Sequence, residues 1–257
     1  MPTTAQTGTR SMTIVLPAYN EQSRIGPALD ELFEYLDAPP VEGIRPRIDV
    51  LLVDDGSTDR TADLVRERAA ARRPDVAPLS VMTVPHAGKG AAVRAGMLAA
   101  AGDLIVFADA DMATPPSELP KLTAALKEAD VALGSRIQPD GSDMRATQPA
   151  YRRFLGGVFH LLASIWVVGD VKDTQCGFKG FTRAAAQDLF ARQKVTSIVF
   201  DVELIHLARR RGYKVAVVPI RWEDVRGSRM RPGAGLAIKV AWDLFRNPLL
   251  HRGVRRR

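Results

Sequence analysis

Two aspartates follow a strongly apolar stretch of the chain. Residues 104–108 read LIVFA, and Asp109 and Asp111 come directly after them with Ala110 between. Such a run predicts a buried strand, so two carboxylates at its end need a positive partner. Mg²⁺ and Mn²⁺ prefer carboxylate oxygens, and Mg²⁺ is usually held by one or two carboxylates together with substrate phosphates. The pair predicts a metal site, although for this pair alone a helix-capping aspartate beside a solvated one is the simpler alternative.

Polar loops also lie at the ends of four other predicted strands. The strands are predicted at 12–17, 48–57, 79–84 and 130–136, and the loops contain PAYNE, DDGSTD, HAGKG and GSR. Helical spacing of apolar residues between them predicts helices at 21–36, 58–73, 88–102 and 115–129. This alternation predicts an α/β fold with a mostly parallel sheet flanked by helices. Ligands of such sheets bind beyond the carboxyl ends of the strands, so we expect these loops at one edge.

The second half of the sequence is less regular. It predicts a strand pair or extended loop at 171–183, helices at 183–193 and 200–211, a strand at 213–222 and an amphipathic helix at 234–246. We expect a disordered terminus over 1–11, one catalytic domain over 12–230, and an amphipathic helix with a basic tail over 231–257.

Composition and charge indicate what kind of partner and compartment this protein has. The 257 residues carry a formal net charge of +7, which favours an anionic partner, and the arginine-rich end RNPLLHRGVRRR suits an anionic membrane surface. Residues 154–168 predict either a core helix or an interfacial helix behind Arg152. They are too few to span a bilayer, and the N-terminal segment does not have the pattern of a signal peptide. A single cysteine, Cys176, favours a reducing compartment.

Several common sites are excluded by spacing. The HAGKG loop lacks the glycine and the Ser/Thr of a P-loop, and no G-x-G-x-x-G follows the first strand. The four histidines do not have the spacing of zinc ligands. Cys176 has no sign of a thiol mechanism and is expected to be a small packed residue.

The remaining charged residues suggest roles in binding. Lys89 precedes a predicted helix, where a phosphate would be favoured, and the carboxylates of Asp54 and Asp55 can accept hydrogen bonds from a base or ribose. Basic side chains could position a phosphate group, and the candidates are Arg136, Arg152, Lys179 and Arg229. Acidic side chains could accept hydrogen bonds from a ligand or act as a base, and the candidates are Asp173, Asp201 and Glu203. For each basic residue taken singly a solvated charge is the simpler interpretation, and acids at the start of a helix are also favoured by its dipole.

Taken together, these motifs resemble those of inverting GT-A glycosyltransferases of family 2. VLPAYNE, VDDGSTDRT, GKGAAVRAGM, FADADMAT and LGSR occur in the order found there. The later segments RRFLGGVFHLL, DTQCGFKGFTR and FDVELIHLARRRGYKVAVVPIRWEDVRGSR resemble the dolichyl-phosphate glucosyltransferases and their bacterial polyprenyl-phosphate relatives. The resemblance runs from about residue 12 to 245.

The resemblance implies specific roles. Pro17, Tyr19, Glu21 and Asp55 would hold the donor nucleoside. Asp109 and Asp111 would bind Mg²⁺ or Mn²⁺ on the diphosphate. Mannosyl-transferring relatives often carry Gln two positions after the second aspartate, and here Ala113 stands there, which favours the glucosyl branch. The eukaryotic glucosyl relatives begin with a membrane helix, and no such helix is expected from this sequence. Attachment of this chain is therefore expected to be peripheral, at the cytoplasmic face, or to depend on a separate membrane protein.

Three hypotheses follow. The first is transfer of a hexose, with UDP-glucose as the favoured donor, to a polyprenyl or dolichyl phosphate. The second keeps the fold but uses GDP-mannose as donor or a soluble sugar as acceptor. The third is a non-catalytic basic protein that binds nucleic acid or membrane, and acids around the site argue against nucleic acid because they would repel its backbone.

Overall fold

The computed structural model describes residues 10–39, 47–73, 76–144, 171–223 and 234–257. Seven strands lie within these ranges: β1 Met12–Ala18, β2 Ile48–Asp54, β3 Leu79–Thr83, β4 Leu104–Ala108, β5 Val131–Ser135, β6 Phe178–Thr182 and β7 Val215–Pro219. Seven α-helices accompany them: α1 Ile25–Asp37, α2 Thr61–Ala71, α3 Lys89–Ala99, α4 Leu119–Ala125, α5 Arg183–Arg192, α6 Phe200–Arg211 and α7 Ala234–Leu250. The helix predicted at 154–168, either a core or an interfacial one, lies outside the described residues.

The strands form one sheet in the order β3-β2-β1-β4-β6-β5-β7. All neighbours run parallel except around β6, which lies antiparallel between β4 and β5. This confirms the expected α/β fold with a mostly parallel sheet. The segment predicted as a strand pair or extended loop at 171–183 contributes the single strand β6. Its position in the middle of the sheet explains why nearly all of it is buried.

Helices cover both faces of the sheet. On one face Ile14 and Leu16 of β1 pack with Leu29 of α1, while on the other Val15 packs with Met97 of α3. Central strands buried on both faces read as continuous apolar runs rather than alternating ones, which accounts for the LIVFA sequence of β4. The helix predicted at 115–129 is shorter, because a 3₁₀ turn at Pro116–Glu118 precedes α4. Proline restricts the residue before it and lacks an N–H donor.

The C-terminal helix α7 packs on α6. Asp243 Oδ2 accepts a hydrogen bond from Ser197 Oγ at 2.6 Å, and His251 Nε2 lies 2.6 Å from Glu203 Oε1. The chain end then follows α6, and the Arg257 guanidinium lies 4.2 Å from the centre of the Tyr213 ring. Among the described residues no helix is both long and apolar enough to cross a membrane.

Candidate active site

The carboxyl ends of five strands bring the predicted loops to one edge of the sheet. Because β1, β2, β3, β4 and β5 run in the same direction, their last residues share that edge. We call this edge the rim. The loops after Ala18, Asp54, Thr83, Ala108 and Ser135 meet there. Parallel pairing therefore creates the site, because it turns residues far apart in sequence into neighbours.

Asp109 and Asp111 lie at the centre of the rim. The turn that carries them is tight: Met112 has φ +51°, and its N–H donates to Asp109 O at 3.2 Å. Both carboxylates stay accessible, with 36% of the Asp109 and 27% of the Asp111 side chain exposed. Partial burial and the charge of Asp109 together raise the pKa of Asp111. The two carboxylates thus repel each other, as expected of groups that share one space.

Two basic side chains partly balance these carboxylates. Lys89 Nζ lies 2.5 Å from Asp109 Oδ1, and Arg24 Nη1 lies 3.8 Å from Asp111 Oδ2. Burial works against the charge of Lys89, but Asp109 and then Asp201 outweigh it, so its pKa is raised. Arg24 was not expected from the sequence, although it lies three residues after Glu21 and forms a two-point ion pair with it. Within the described residues Arg24 Nη1 has no hydrogen-bond partner.

These residues fit a divalent cation held jointly with a substrate. The described ranges contain no cluster of three or more His, Cys, Asp or Glu side chains suited to a metal. Two neighbouring carboxylates at the end of a strand are, however, the donor set of a cation completed by phosphate oxygens. Asp109 and Asp111 would hold it, and its charge would relieve their repulsion.

The two buried acids of the DDGSTD loop accept hydrogen bonds from backbone groups of the rim loops. Asp55 is 2% exposed and accepts hydrogen bonds from Ala87 N and Gly88 N, both at 3.0 Å. Asp54 is 1% exposed and accepts one from Ser57 N at 3.2 Å. Both carboxylates therefore have partners within the chain, and direct contact of either with a nucleoside stays a prediction.

Tyr19 and His86 form an aromatic pair at the rim. Their rings stack with centroids 4.1 Å apart at 16°, and His86 Nδ1 lies 2.8 Å from Asp55 Oδ2. Tyr19 is 40% exposed, so it can offer a ring face to a base, whereas Pro17 lies within β1. His86 was not expected from the sequence, although its place in the HAGKG loop was a signal.

Arg136 and Asp173 form a buried ion pair. The guanidinium donates to both carboxylate oxygens at 2.8 and 2.6 Å, and Arg136 N donates to Asp173 Oδ2 at 2.8 Å. Burial alone would lower the pKa of Arg136, but the hydrogen bond and charge of Asp173 raise it. Asp173 is 2% exposed. The structure thus corrects the expectation of a free acid or base: Asp173 orients Arg136.

The structure also corrects the roles expected of Lys179 and Asp201. Lys179 is fully buried, and its Nζ donates to Asp201 Oδ1 at 2.6 Å and to Cys176 O at 2.5 Å. Burial raises the pKa of Asp201, against the charges of Lys179 and Lys89. Neither side chain is exposed to an acceptor, because the two are buried and form an ion pair with each other. Burial likewise raises the pKa of the Cys176 thiol to about 12, which agrees with a packed, unreactive cysteine.

Glu203 is buried and bound to other residues of the chain. Its side chain is completely buried and accepts hydrogen bonds from Lys194 N at 2.8 Å and Val195 N at 2.9 Å. With His251 as its third contact, it joins α6, the preceding loop and the chain end. Glu203 is therefore not exposed as the ligand contact or base suggested by the sequence, because its carboxylate is held by other residues of the chain. Arg152 and Arg229 lie outside the described residues.

The family model for glycosyl transferase family 2 matches residues 13–190. This range contains every rim loop described above. The chain belongs to glycosyltransferase family 2.

The relatives of this family 2 transferase include dolichyl-phosphate beta-glucosyltransferases. The chain is 40% identical over 247 residues to the dolichyl-phosphate beta-glucosyltransferase ALG5C of Trichomonas vaginalis, covering 93% of this chain and 71% of that protein. It is 31% identical to the human dolichyl-phosphate beta-glucosyltransferase, covering 90% of this chain and 73% of that protein.

A solved structure confirms the fold expected of this family 2 transferase. Glucosyl-3-phosphoglycerate synthase of Mycobacterium tuberculosis, in complex with Mn²⁺, UDP and phosphoglyceric acid, superposes with a TM-score of 0.60. The two chains are 23% identical over 95% of this chain and 79% of that one. The likeness establishes the GT-A type of α/β fold.

Gly177 offers a test of the Asp109 position. Its carbonyl accepts a hydrogen bond from Asp109 N at 3.0 Å, and a Cβ on Gly177 would overlap the Asp109 carboxylate. We expect Gly177→Ala to lower kcat about 100-fold, because small displacements of reacting groups have effects of that order. Steady-state kinetics measure it, and circular dichroism should be unchanged.

The matched control for this prediction is Gly253→Ala. Gly253 has no atom within 4 Å of where its Cβ would lie, so this substitution should be silent. Wild-type kinetics for Gly177→Ala would mean that the position of Asp109 does not matter to turnover.

Proposed function

We propose that this family 2 transferase moves glucose from UDP-glucose to a polyprenyl phosphate, with inversion at the anomeric carbon. The observation that carries the proposal is the exposed pair Asp109 and Asp111 beside Lys89 at the rim. The two carboxylates can hold a cation, and the cation and Lys89 can stabilise the negative charge of a departing nucleoside diphosphate. The relatives are dolichyl-phosphate beta-glucosyltransferases, which supports glucose as the transferred group and a polyprenyl phosphate as the acceptor.

The chemistry needs charge stabilisation more than proton transfer. An oxygen of the acceptor phosphate attacks the anomeric carbon, and the bond from that carbon to the diphosphate oxygen breaks. Mg²⁺ or Mn²⁺ on Asp109 and Asp111 would stabilise the charge that develops on the leaving diphosphate. A phosphomonoester has a second pKa near 6, so at neutral pH it is largely a dianion and can attack without a general base. This agrees with the burial of Asp173 and Asp201 in ion pairs.

Among the residues that the structure describes, Arg136 is the best candidate to bind the acceptor phosphate. Its Nε and Nη2 are used by Asp173, and a guanidinium has five N–H donors. The remaining donors can bind phosphate while Asp173 fixes the plane of the group. Arg152 and Arg229 stay proposals made from sequence.

A transfer assay tests the proposed function. Purified protein is incubated with Mg²⁺, polyprenyl phosphate and one labelled donor at a time: UDP-glucose, GDP-mannose or UDP-N-acetylglucosamine. Label from UDP-glucose should enter the organic phase. Lipid product from GDP-mannose alone would favour the mannosyl alternative, and label found only on a soluble sugar would favour a soluble acceptor. If no nucleotide sugar gives a lipid product, the proposal fails.

We propose peripheral contact of this chain with the cytoplasmic face of a membrane. Helix α7 supports it, because its polar residues Asp243 and Asn247 are buried, whereas its apolar residues Trp242 and Leu249 are 59% and 39% exposed. Exposed apolar residues beside arginines are typical of interfacial helices. Arg246, in the same helix, is one such neighbour.

Exchange of the outward residues of α7 tests this contact. We expect the double variant Trp242→Ser, Leu249→Ser to lower partition onto anionic vesicles by tenfold or more, since a large apolar side chain contributes roughly 1.5–3 kcal/mol when buried. Sedimentation with vesicles measures it. Val217→Ser, at a residue of β7 that is 50% exposed, is the control and should bind as the wild type does. Equal binding of both variants would remove α7 from the membrane contact.

A further inference from the structure

Lys89 lies beside a carboxylate that is expected to bind a divalent cation. Its Nζ is 2.5 Å from Asp109 Oδ1, so an ion that binds this oxygen competes with the ammonium group for it. We infer that Lys89 closes the cation site until the nucleotide arrives, and that it then turns from Asp109 to the diphosphate. The inference rests on the proposed donor chemistry, and it adds an order to the binding of cation and nucleotide.

The backbone of Lys89 is held firmly, whereas its side chain can move. Gly88 has φ +101°, and Gly90 N donates to Thr196 O at 3.0 Å. A Cβ on either glycine would lie 2.9 Å from Thr196 O, so only glycine allows this approach. Asp55 anchors the loop from the other side through Ala87 N and Gly88 N. The Lys89 side chain is one third exposed, and its four-carbon stem can swing without moving the loop.

The charges around the site nearly balance without a metal. Four carboxylates, on Asp109, Asp111, Asp201 and Glu21, are accompanied by three basic groups, on Lys89, Lys179 and Arg24. A divalent cation alone would place two positive charges beside the Lys89 ammonium group, which would repel it. A nucleoside diphosphate brings compensating negative charge and a new partner for the ammonium. Cation and nucleotide are therefore expected to bind cooperatively, and Lys89 is the source of that coupling.

The experiment measures Mn²⁺ binding directly, without turnover. The electron paramagnetic resonance signal of free Mn²⁺ is followed as wild-type protein, Lys89→Met or Lys89→Gln is added, with and without UDP. Coupling between ligands is typically about 5–150-fold, and removal of the ammonium should abolish it. We expect both variants to bind Mn²⁺ alone at least about tenfold more tightly than the wild type does, and UDP to improve their affinity much less.

Lys121→Met is the matched control. Lys121 also forms an ion pair, with Glu118 at 2.6 Å, but away from Asp109, so this variant should bind Mn²⁺ as the wild type does. Equal or weaker binding of Mn²⁺ alone by both Lys89 variants, with UDP-promoted binding intact in the wild type, would overturn the inference and leave the proposed function standing. Absence of Mn²⁺ binding in every protein, even with UDP, would overturn both.

Discussion

Asp109→Asn and Asp111→Asn are each expected to lower kcat/KM for glucosyl transfer by about 10³-fold. Electrostatic groups aimed at developing charge contribute on the order of 10²–10³ each, and loss of a metal-binding carboxylate adds to that. An amide is a weaker ligand and carries no charge to hold a divalent cation. The measurement is transfer of label from UDP-glucose to the lipid phase, at saturating Mg²⁺ and with chelator in a parallel series.

The same strand provides the control for these variants. Asp103 lies at the other end of β4, where it accepts hydrogen bonds from Ser11 N and Ser11 Oγ, both at 2.9 Å. Asp103→Asn should leave kcat/KM within a factor of about two, because it changes an exposed carboxylate remote from the rim. Undiminished transfer by Asp111→Asn, or by the wild type in excess chelator, would refute the role of the aspartate pair.

Lys179→Met is expected to be the most destabilising of the substitutions considered. The Lys179 side chain is fully buried, and its removal leaves the 4% exposed Asp201 carboxylate without its main counter-charge. Breaking one side of a buried ion pair typically costs about 3–5 kcal/mol. Urea denaturation followed by circular dichroism measures the free energy of unfolding.

Two further variants separate a structural from a catalytic role for Lys179. The double variant Lys179→Met, Asp201→Leu should recover most of the lost stability, because a well-packed apolar pair can replace a buried ion pair. Lys127→Met, at an exposed lysine, should change stability by less than about 0.5 kcal/mol. If Lys179→Met were as stable as the wild type but had a raised KM for the acceptor, Lys179 would contact the phosphate after all.

Much of the site could be predicted from the sequence because it depends on residues that are close together in the chain. Each rim loop follows a strand, and each strand is marked by its own apolar run. LIVFA followed by DADM predicted both β4 and the acids at its end, and the structure places them there. The position of Lys89 before a helix was equally local.

Partners across long sequence distances could not be read in this way. Lys179 and Asp201 are 22 residues apart, Arg136 and Asp173 are 37 apart, and Glu203 and His251 are 48 apart. Each charge taken alone resembles a binding residue, since residue type does not distinguish a ligand contact from an internal pair. Arg24 and His86 were missed for the same reason, because their importance comes from neighbours in another loop.

The sequence by itself determined the family, the alternation of strands and helices, and the position of two carboxylates at the end of β4. Only the tertiary structure decided which charges face the rim and which neutralise one another inside. The physical reason is the antiparallel insertion of β6 between β4 and β5. It carries Lys179 into the interior, where an unpaired ammonium would be unstable and Asp201 becomes its partner.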